Sequence, residues 1–418
     1  MLNILINAYA CAPHKGSEPG MAWNWIVNLS RHCRLFVITE GEWREEIELA
    51  LDRLPEKENI TFYYNPVSPK IRQMCWNQGD WRFYYFYRKW QKKTFSIARD
   101  IIGNHSIDLV HQLNMVGYRE PGLLWNFRDI PSVWGPIGGF GGVPNSYLGL
   151  YGWKERIKQQ VKGLLNRVQV YSPYIQNAIN QTSVLIACNS VAKDVLTRFR
   201  DDGVCLTSEV GTFSESIYAN NTKREGEQLQ LCWIGRNYPT KALIIALRVF
   251  KQLEGLPVHL QVIGVGEEAI PHRELANLKN VTFHDWLPLE EVHEQLRNSH
   301  ALLFTSLYEA TGTAVLEAIS NGVPVLCHDT CGQGDVIDKS CGIKIPLKDP
   351  ENSVSLFEVA VRDLLDNRKK LEKLALGALK RAEELTWEEK AKQMIAIYAK
   401  AIASKKSSEK FVTHFENK

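Results

Sequence analysis

A chain of 418 residues with 44% hydrophobic and 23% charged side chains, 28 glycines and 17 prolines has the composition of a folded globular enzyme, and it excludes a disordered or fibrous protein. It is too long for one ordinary core, which stops growing at roughly 250–300 residues, so two domains of about 200 residues are expected. A net charge of +3 demands no nucleic acid partner, and nine cysteines without a Cys-x-x-Cys pair exclude a disulfide framework and point to reduced thiols.

The chain opens on LNILINAYA (2–10), a short apolar run of the buried parallel-strand kind, with no basic segment and apolar stretch of an export signal before it. No run approaches the roughly 18–20 apolar residues of a transmembrane helix. A cytoplasmic protein is expected, with the inner face of the cell membrane as a peripheral location. The polar loop CAPHKGSEPG (11–20) then leads into a helix, with Ser17 or Glu18 as its cap and Pro19 in its first turn, and RLFVIT (34–39) is the next strand.

Further strands are expected in ITFYYNP, SIDLVHQL, IPSVWGPI and SVLIACNS, separated by helical or loop sequence. That pattern is α/β: a doubly wound parallel sheet covered on both faces. It pauses near residue 214 and restarts with LQLCWIG, the helix ALIIALRVFKQL, and the strands VHLQVIG, NVTFHDW, HALLFTS and PVLCHD. A boundary at 213–228 therefore separates a first domain, 1–215, from a second doubly wound domain, 216–386. Residues 404–418, rich in Lys and Ser, are expected to form a flexible tail.

The richest segment for chemistry is SLYEATGTAVLEAISNGVPV (306–325). It sets Glu309 at a strand end, a small-residue loop through Ala310, Thr311, Gly312 and Thr313, and a helix carrying Ala314 and Glu317. Ligands of open α/β sheets bind beyond the carboxyl ends of the strands, and exposed helix N–H groups suit a phosphate. Eight residues apart, the two carboxylates are poorly placed as an acid–base pair; they suit hydroxyl binding, Glu309 on a sugar and Glu317 on a ribose. For an isolated pair, a Glu317 that merely pairs on its helix would be the simpler reading. In WIGRNYPTKAL (233–243), Gly235 ends a strand, and Arg236 and Lys241 flank the turn that opens a helix, so two cations can converge on a diphosphate. Alone, that turn is as well explained by solvation.

Together, Glu309-x7-Glu317 and the Gly235-Arg236-x4-Lys241 turn resemble the retaining glycosyltransferases of family 4, the two-Rossmann-domain GT-B type, over nearly the whole chain. The resemblance implies two Rossmann-like domains facing a cleft, the first for the acceptor and the second for a nucleotide-sugar donor, with a last helix near 387–403, around Trp387, crossing back to the first domain. It implies that Glu309 contacts the donor sugar and Glu317 the ribose, that Arg236 and Lys241 neutralise the departing diphosphate without a metal, and that backbone from Ala310 to Ala314 completes the seat. Gly16 in HKGSEPG corresponds to the family's first glycine loop, facing the donor phosphates. His111 in DLVHQLN matches the first position of a His-x-His pattern that places a catalytic histidine near the sugar, but Leu113 stands at the second, and a buried core histidine is the competing reading.

The implied reaction is retaining transfer of a hexose-type sugar from a UDP- or GDP-sugar, which is substrate and not cofactor, to a glycan or lipid-linked glycan in surface polysaccharide biosynthesis. Competing readings are a nucleotide-sugar epimerase of similar fold and a degenerate transferase kept as a glycan-binding or scaffold subunit; a dehydrogenase is disfavoured because 11–20 lacks a G-x-G-x-x-G turn.

Four other features enter as expectations. The five glycines of VWGPIGGFGGVP (133–144) admit either a close backbone approach or a mobile loop. GVGEEA (264–269) is expected to border the nucleotide base. Cys327, His328 and Cys331 lack a second ligand pair, so no metal site is expected. Residues 70–100 hold eight Lys/Arg and nine aromatics, and GWKERIKQQVKGLLNRVQ (152–169) adds a second basic stretch. An anionic membrane surface is the partner ranked first for them, a plain solvated face second, and nucleic acid last.

Overall fold

The structure is a computed structural model that describes residues 1–77, 80–217, 228–271, 274 and 278–416. Two parallel sheets organise it. The first has the order β3-β2-β1-β4-β5-β6-β7, from β1 (Leu2–Ala8), β2 (Cys33–Thr39), β3 (Ile60–Tyr64), β4 (Leu109–Asn114), β5 (Ser132–Ile137), β6 (Val184–Ala187) and β7 (Val204–Leu206). The second has the order β10-β9-β8-β11-β12-β13, from β8 (Leu229–Ile234), β9 (Val258–Ile263), β10 (Val281–His284), β11 (Ala301–Phe304), β12 (Val325–His328) and β13 (Gly342–Ile345). Both are α/β, doubly wound and Rossmann-like, as the alternation of apolar runs and helical sequence predicts.

The central strands are near-continuous apolar runs because both of their faces are covered: Ile4, Leu5 and Ile6 of β1 are fully buried, as are Leu302 and Leu303 of β11. The two strands that sequence patterning misses, β7 and β13, close the right-hand edges in the orders above; β7 has only three residues, and β13 carries a glycine and a lysine, so neither reads as an apolar run.

Between the sheets the chain crosses itself. Thr212 N donates to Leu385 O at 2.9 Å and Trp387 N donates to Thr212 O at 3.0 Å, and a Cβ on Gly211 would sit 2.9 Å from Leu385 O. Residues 218–227 of the expected boundary lie outside the described residues. The last helix, Trp387–Glu416, then returns to the first domain: Trp387 meets Trp25 edge-to-face at 5.4 Å, and Met394 and Tyr398 join that domain's core. Its helical backbone continues through Glu416, past the expected end near 403, so the stretch expected as a flexible tail is helix up to that point.

Candidate functional site

In each sheet one pair of neighbouring strands sends its connections to opposite sides, opening a crevice beyond their carboxyl ends where ligands of this architecture bind. In the second sheet the pair is β8 and β11.

Beyond β8 come Gly235 and Arg236, a single 3-10 turn over Pro239–Lys241, and Ala242 in the left-handed region at φ 47° before the helix Leu243–Gln252. Beyond β11 the chain runs through Thr305 to Gly312, itself at φ 86°, into the helix Thr313–Ser320. Leu307 N donates to Thr240 O at 2.7 Å, and Thr305 Oγ1 bridges the two loops by donating towards the Lys241 and Ala242 carbonyls while accepting from Trp233 Nε1 at 3.0 Å.

That lacing brings three predicted residues together. Lys241 Nζ lies 2.6 Å from Glu309 Oε1, with both side chains mostly shielded. The same ammonium sits 5.1 Å over the Phe304 ring. Glu317 is half-buried one turn into the helix; burial pushes its carboxyl above the usual range, and Lys241 pulls it partly back. Glu309 is five residues past the end of β11, on the loop, where a strand-end position was expected. Arg236, five residues before Lys241 on the same loop, is exposed, its guanidinium meeting no ion-pair partner among the described residues. Ala310 and Thr313 line the loop after β11, Thr311 and Ala314 being buried beneath. Gly235 packs against Trp233, where a Cβ would meet the indole at 3.0 Å, and its carbonyl lies 2.6 Å from where a Cβ on Gly264 would sit. GVGEEA is thereby adjacent, with Asn237 Nδ2 donating to Ala269 O at 3.2 Å.

The first domain grips this loop from the other side of the cleft. Asn189 is fully buried; its Oδ1 caps the helix Ser190–Thr197 through Ala192 N, while its Nδ2 donates to both Glu309 O and Ala310 O at 3.0 Å. Glu209 Oε2 accepts from Thr311 Oγ1 at 2.6 Å. The glycines of 133–144 have a specific purpose: Gly139 N donates to Tyr308 OH at 3.0 Å, and a Cβ on Gly141 would strike the Tyr308 ring at 2.2 Å. Of the two readings of that loop, close approach fits, and the approaching group is a side chain of the second domain. Asn189, Glu209 and Tyr308 carry no sequence pattern that marks them; only the fold brings them together.

Two predicted positions do not behave as expected. His111 is fully buried, Nδ1 2.7 Å from Tyr398 Oη and Nε2 2.8 Å from Gly135 O, and burial pulls its pKa down to about 4. Both ring nitrogens are used and the returning helix covers it, so His111 is a core histidine and lies out of reach of the cleft. Gly16 is exposed, and a Cβ there would meet nothing within 4 Å; it caps the helix Ser17–Ser30 through its backbone, and neither Ser17 nor Glu18 does so. The glycine the loop requires is Gly20, where a Cβ would lie 1.8 Å from Lys15 O.

Glu18 instead reaches across the first sheet's own crevice, between β1 and β4, where Val116 N donates to its Oε1 at 3.2 Å. Burial raises its pKa to about 7, and Glu209 adds to the rise. His328, expected in no metal site, is also spoken for, 3.2 Å from Ser306 O and 2.9 Å from Ser353 Oγ. No group of three metal-ligating side chains occurs among the described residues.

The chain is similar to known proteins in its fold and along its second domain. Residues 215–381 match the family model of glycosyl transferases group 1. A glycosyltransferase from Rickettsia africae superposes with a TM-score of 0.61 at 14% identity, over 96% of this chain and 98% of that one. Anabaena HepE in complex with UDP-glucose gives 0.57 at 14% identity, over 95% and 100%. WaaG, a glycosyltransferase involved in lipopolysaccharide biosynthesis, gives 0.56 at 17% identity, over 94% and 99%. An uncharacterized 41.2 kDa protein in the cps region of Klebsiella pneumoniae is 20% identical over 216 residues, 49% of this chain, and the chain spans only 56% of that relative's length. The architecture is the two-domain GT-B fold.

Proposed function

We propose that this chain, whose second domain is a group 1 glycosyl transferase module set in a GT-B fold, is a metal-independent retaining hexosyltransferase of the family 4 kind that uses a nucleotide-sugar donor. The observation that carries the proposal is the Lys241–Glu309 pair at the second domain's crevice, with Glu317 behind it and Arg236 exposed on the lysine's loop. In the free protein Glu309 holds the ammonium. An arriving diphosphate takes Lys241 and Arg236 as its counter-cations, which releases Glu309 to accept from sugar hydroxyls while Glu317 accepts from the ribose.

As the bond between the anomeric carbon and the phosphate oxygen breaks, charge builds on that oxygen, and preformed cations and the N–H groups of 310–314 stabilise it. The acceptor oxygen bonds the anomeric carbon from the same face, and its proton passes to the departing phosphate. With His111 buried, this route asks no histidine of the first domain.

A UDP-sugar is the first donor to try, since HepE was solved with UDP-glucose, and a GDP-sugar the second. A glycan or lipid-linked glycan acceptor of surface polysaccharide fits the cps-region relative and WaaG. The test is donor turnover followed by NMR of the product anomer in the presence of EDTA. Turnover with retention is expected; an inverted product, or an absolute need for divalent metal, refutes this reading.

A further inference from the structure

The helix Trp153–Gln169 is built inside out. An ordinary surface helix turns its apolar stripe to the core and its charges to water. Here Trp153, Ile157, Val161, Leu164, Leu165 and Val168 are all exposed, Trp153 at 68% and Leu164 at 62%. Their spacing repeats every three or four residues, so they form one stripe along about 25 Å of helix. The opposite stripe, Glu155, Gln159, Gly163 and Asn166, is the one turned to the protein.

Polar contacts, not apolar packing, hold that inner stripe. Asn166 is buried; its carbonyl accepts from Tyr118 OH at 2.9 Å and its Nδ2 donates to Gly141 O at 3.3 Å. Gln169 Oε1 accepts from Arg119 Nε at 2.6 Å, and Glu155 Oε1 accepts from Gln159 Nε2 at 2.7 Å. Exposing six large apolar side chains while burying amides costs several kcal/mol unless something covers the stripe. Nothing among the described residues covers it.

The charges flanking the stripe select the cover. Lys154, Lys158, Lys162 and Arg167 are exposed, against the single acid Glu155, which pairs with Lys158; Arg156 donates instead to the carbonyls of Leu148, Gly149 and Tyr151. A second copy docked stripe to stripe would set these cations against their own kind. An anionic bilayer satisfies both halves at once: the apolar stripe enters the acyl boundary and the lysines and arginines meet headgroup phosphates.

A second set of exposed aromatics lies on the other basic stretch of the first domain. Trp76, Trp81, Tyr84 and Tyr85 are exposed at the start of the helix Arg82–Asn104 and just before it, and Lys89 Nζ lies 4.6 Å over the Tyr85 ring. Most other aromatics of 70–100 are not available, since Phe83, Tyr87 and Trp90 pack around Tyr9 in the interior. The second basic stretch, which on sequence only adds to the first, is thus the main exposed surface. It adjoins the cleft, because Gly141, which accepts from Asn166, is the glycine against Tyr308.

We propose that the apolar stripe of the helix Trp153–Gln169, with its basic flanks, is a docking face for an anionic lipid bilayer, which lays the first domain on the membrane with the cleft mouth beside the lipid surface. The proposal needs no turnover and so stands or falls separately from the donor chemistry.

The test is co-sedimentation of the full chain with vesicles of phosphatidylcholine alone and of phosphatidylcholine with phosphatidylglycerol, at low and high salt, beside its oligomeric state by light scattering. Binding to the phosphatidylglycerol vesicles that weakens at least tenfold in high salt is expected. A triple variant, Ile157→Ser, Leu164→Ser and Val168→Ser, and a second, Lys154→Glu, Lys158→Glu and Lys162→Glu, are each expected to lose at least tenfold in partition. Their melting temperatures should match the parent, because these side chains touch no core. Binding that ignores lipid charge, a monomer that leaves both vesicles in the supernatant, or a dimer that the serine variant dissociates while vesicles are ignored would each overturn the proposal.

Discussion

The two domains share one topology and differ in what they place at the same point of it. At the β8/β11 crevice of the second domain a lysine from one loop meets a glutamate from the other at 2.6 Å, and Arg236 on the lysine's loop is exposed. At the β1/β4 crevice of the first domain the corresponding contact is a glutamate, Glu18, accepting from a backbone N–H, with a second buried carboxylate, Glu209, nearby and buried Lys390 acting on that second carboxylate. On the proposed function the second crevice holds the dianionic diphosphate, and the first, without such a lysine–glutamate pair, is left to neutral hydroxyls. Strand order fixes where ligands go, and the side chains carried by the two loops decide which ligand.

The strongest way to break the comparison is to remove the cation. Lys241→Ala should lower turnover by about 10²–10³-fold, the scale seen when one charge-stabilising group is lost, and Arg236→Ala should follow at lower cost because that guanidinium is exposed. Steady-state kinetics would show it as a fall in kcat; an unchanged kcat for Lys241→Ala would remove the second crevice from the chemistry.

Next in size are the backbone constraints of the first crevice. Gly20→Ala should destabilise by about 3 kcal/mol, since its Cβ falls 1.8 Å from Lys15 O, whereas Gly16→Ala should stay within about 0.5 kcal/mol, with nothing within 4 Å. Denaturant midpoints for the pair check this, and equal costs would contradict the geometry. His111→Ala belongs to the same tier: an expected loss of about 2–3 kcal/mol from the unpaired Tyr398 and the cavity, with the donor affinity of the folded fraction unchanged.

A finer probe is Asn189→Asp. Aspartate caps a helix as well as asparagine does, so the Ala192 contact survives, but it presents acceptors to the Glu309 and Ala310 carbonyls. Stability should fall by about 2–3 kcal/mol, because both N–H donors are lost and a carboxylate is buried against two carbonyls, and the nucleotide-sugar affinity of the folded fraction should fall about tenfold. A large loss of melting temperature with intact affinity would make Asn189 structural only.

The smallest effect is a pH dependence. Glu18 has a folded pKa raised to about 7, so the native state binds its proton more tightly than the unfolded chain does, and stability declines as pH rises from about 4.5 through about 7. Glu18→Gln keeps an acceptor for Val116 N and removes the penalty. It should match the parent near pH 4.5 and exceed it by about 1–3 kcal/mol at pH 8. Parallel stability curves across that range would show that Glu18 is ordinary.

How much of this was legible in the sequence follows from how each feature is encoded. Strands such as β1 and β11 sit in apolar stretches bounded by turns, so their burial is written locally, as is the Glu309-to-Glu317 spacing that a loop and one helix turn must preserve. His111 was readable as either catalytic or structural because the residue that decides the matter, Tyr398, lies 287 positions away on a helix whose return is a tertiary fact. The glycines of 133–144 were ambiguous for the same reason, since Tyr308 belongs to the other domain. In the helix Trp153–Gln169 the amphipathic pattern was plain but its direction was not, because periodicity shows that a helix has two faces and leaves open which one meets the protein.

The most direct test of the account is calorimetric titration of the parent protein and Lys241→Ala with UDP-glucose, GDP-mannose and the corresponding free diphosphates. The account predicts binding of one nucleotide class by the parent, a loss of about tenfold or more in the variant for sugar and free diphosphate alike, and no dependence on added magnesium. Binding that survives Lys241→Ala unchanged, or that appears only with magnesium, would contradict the assignment of the second crevice as a cation-built diphosphate seat.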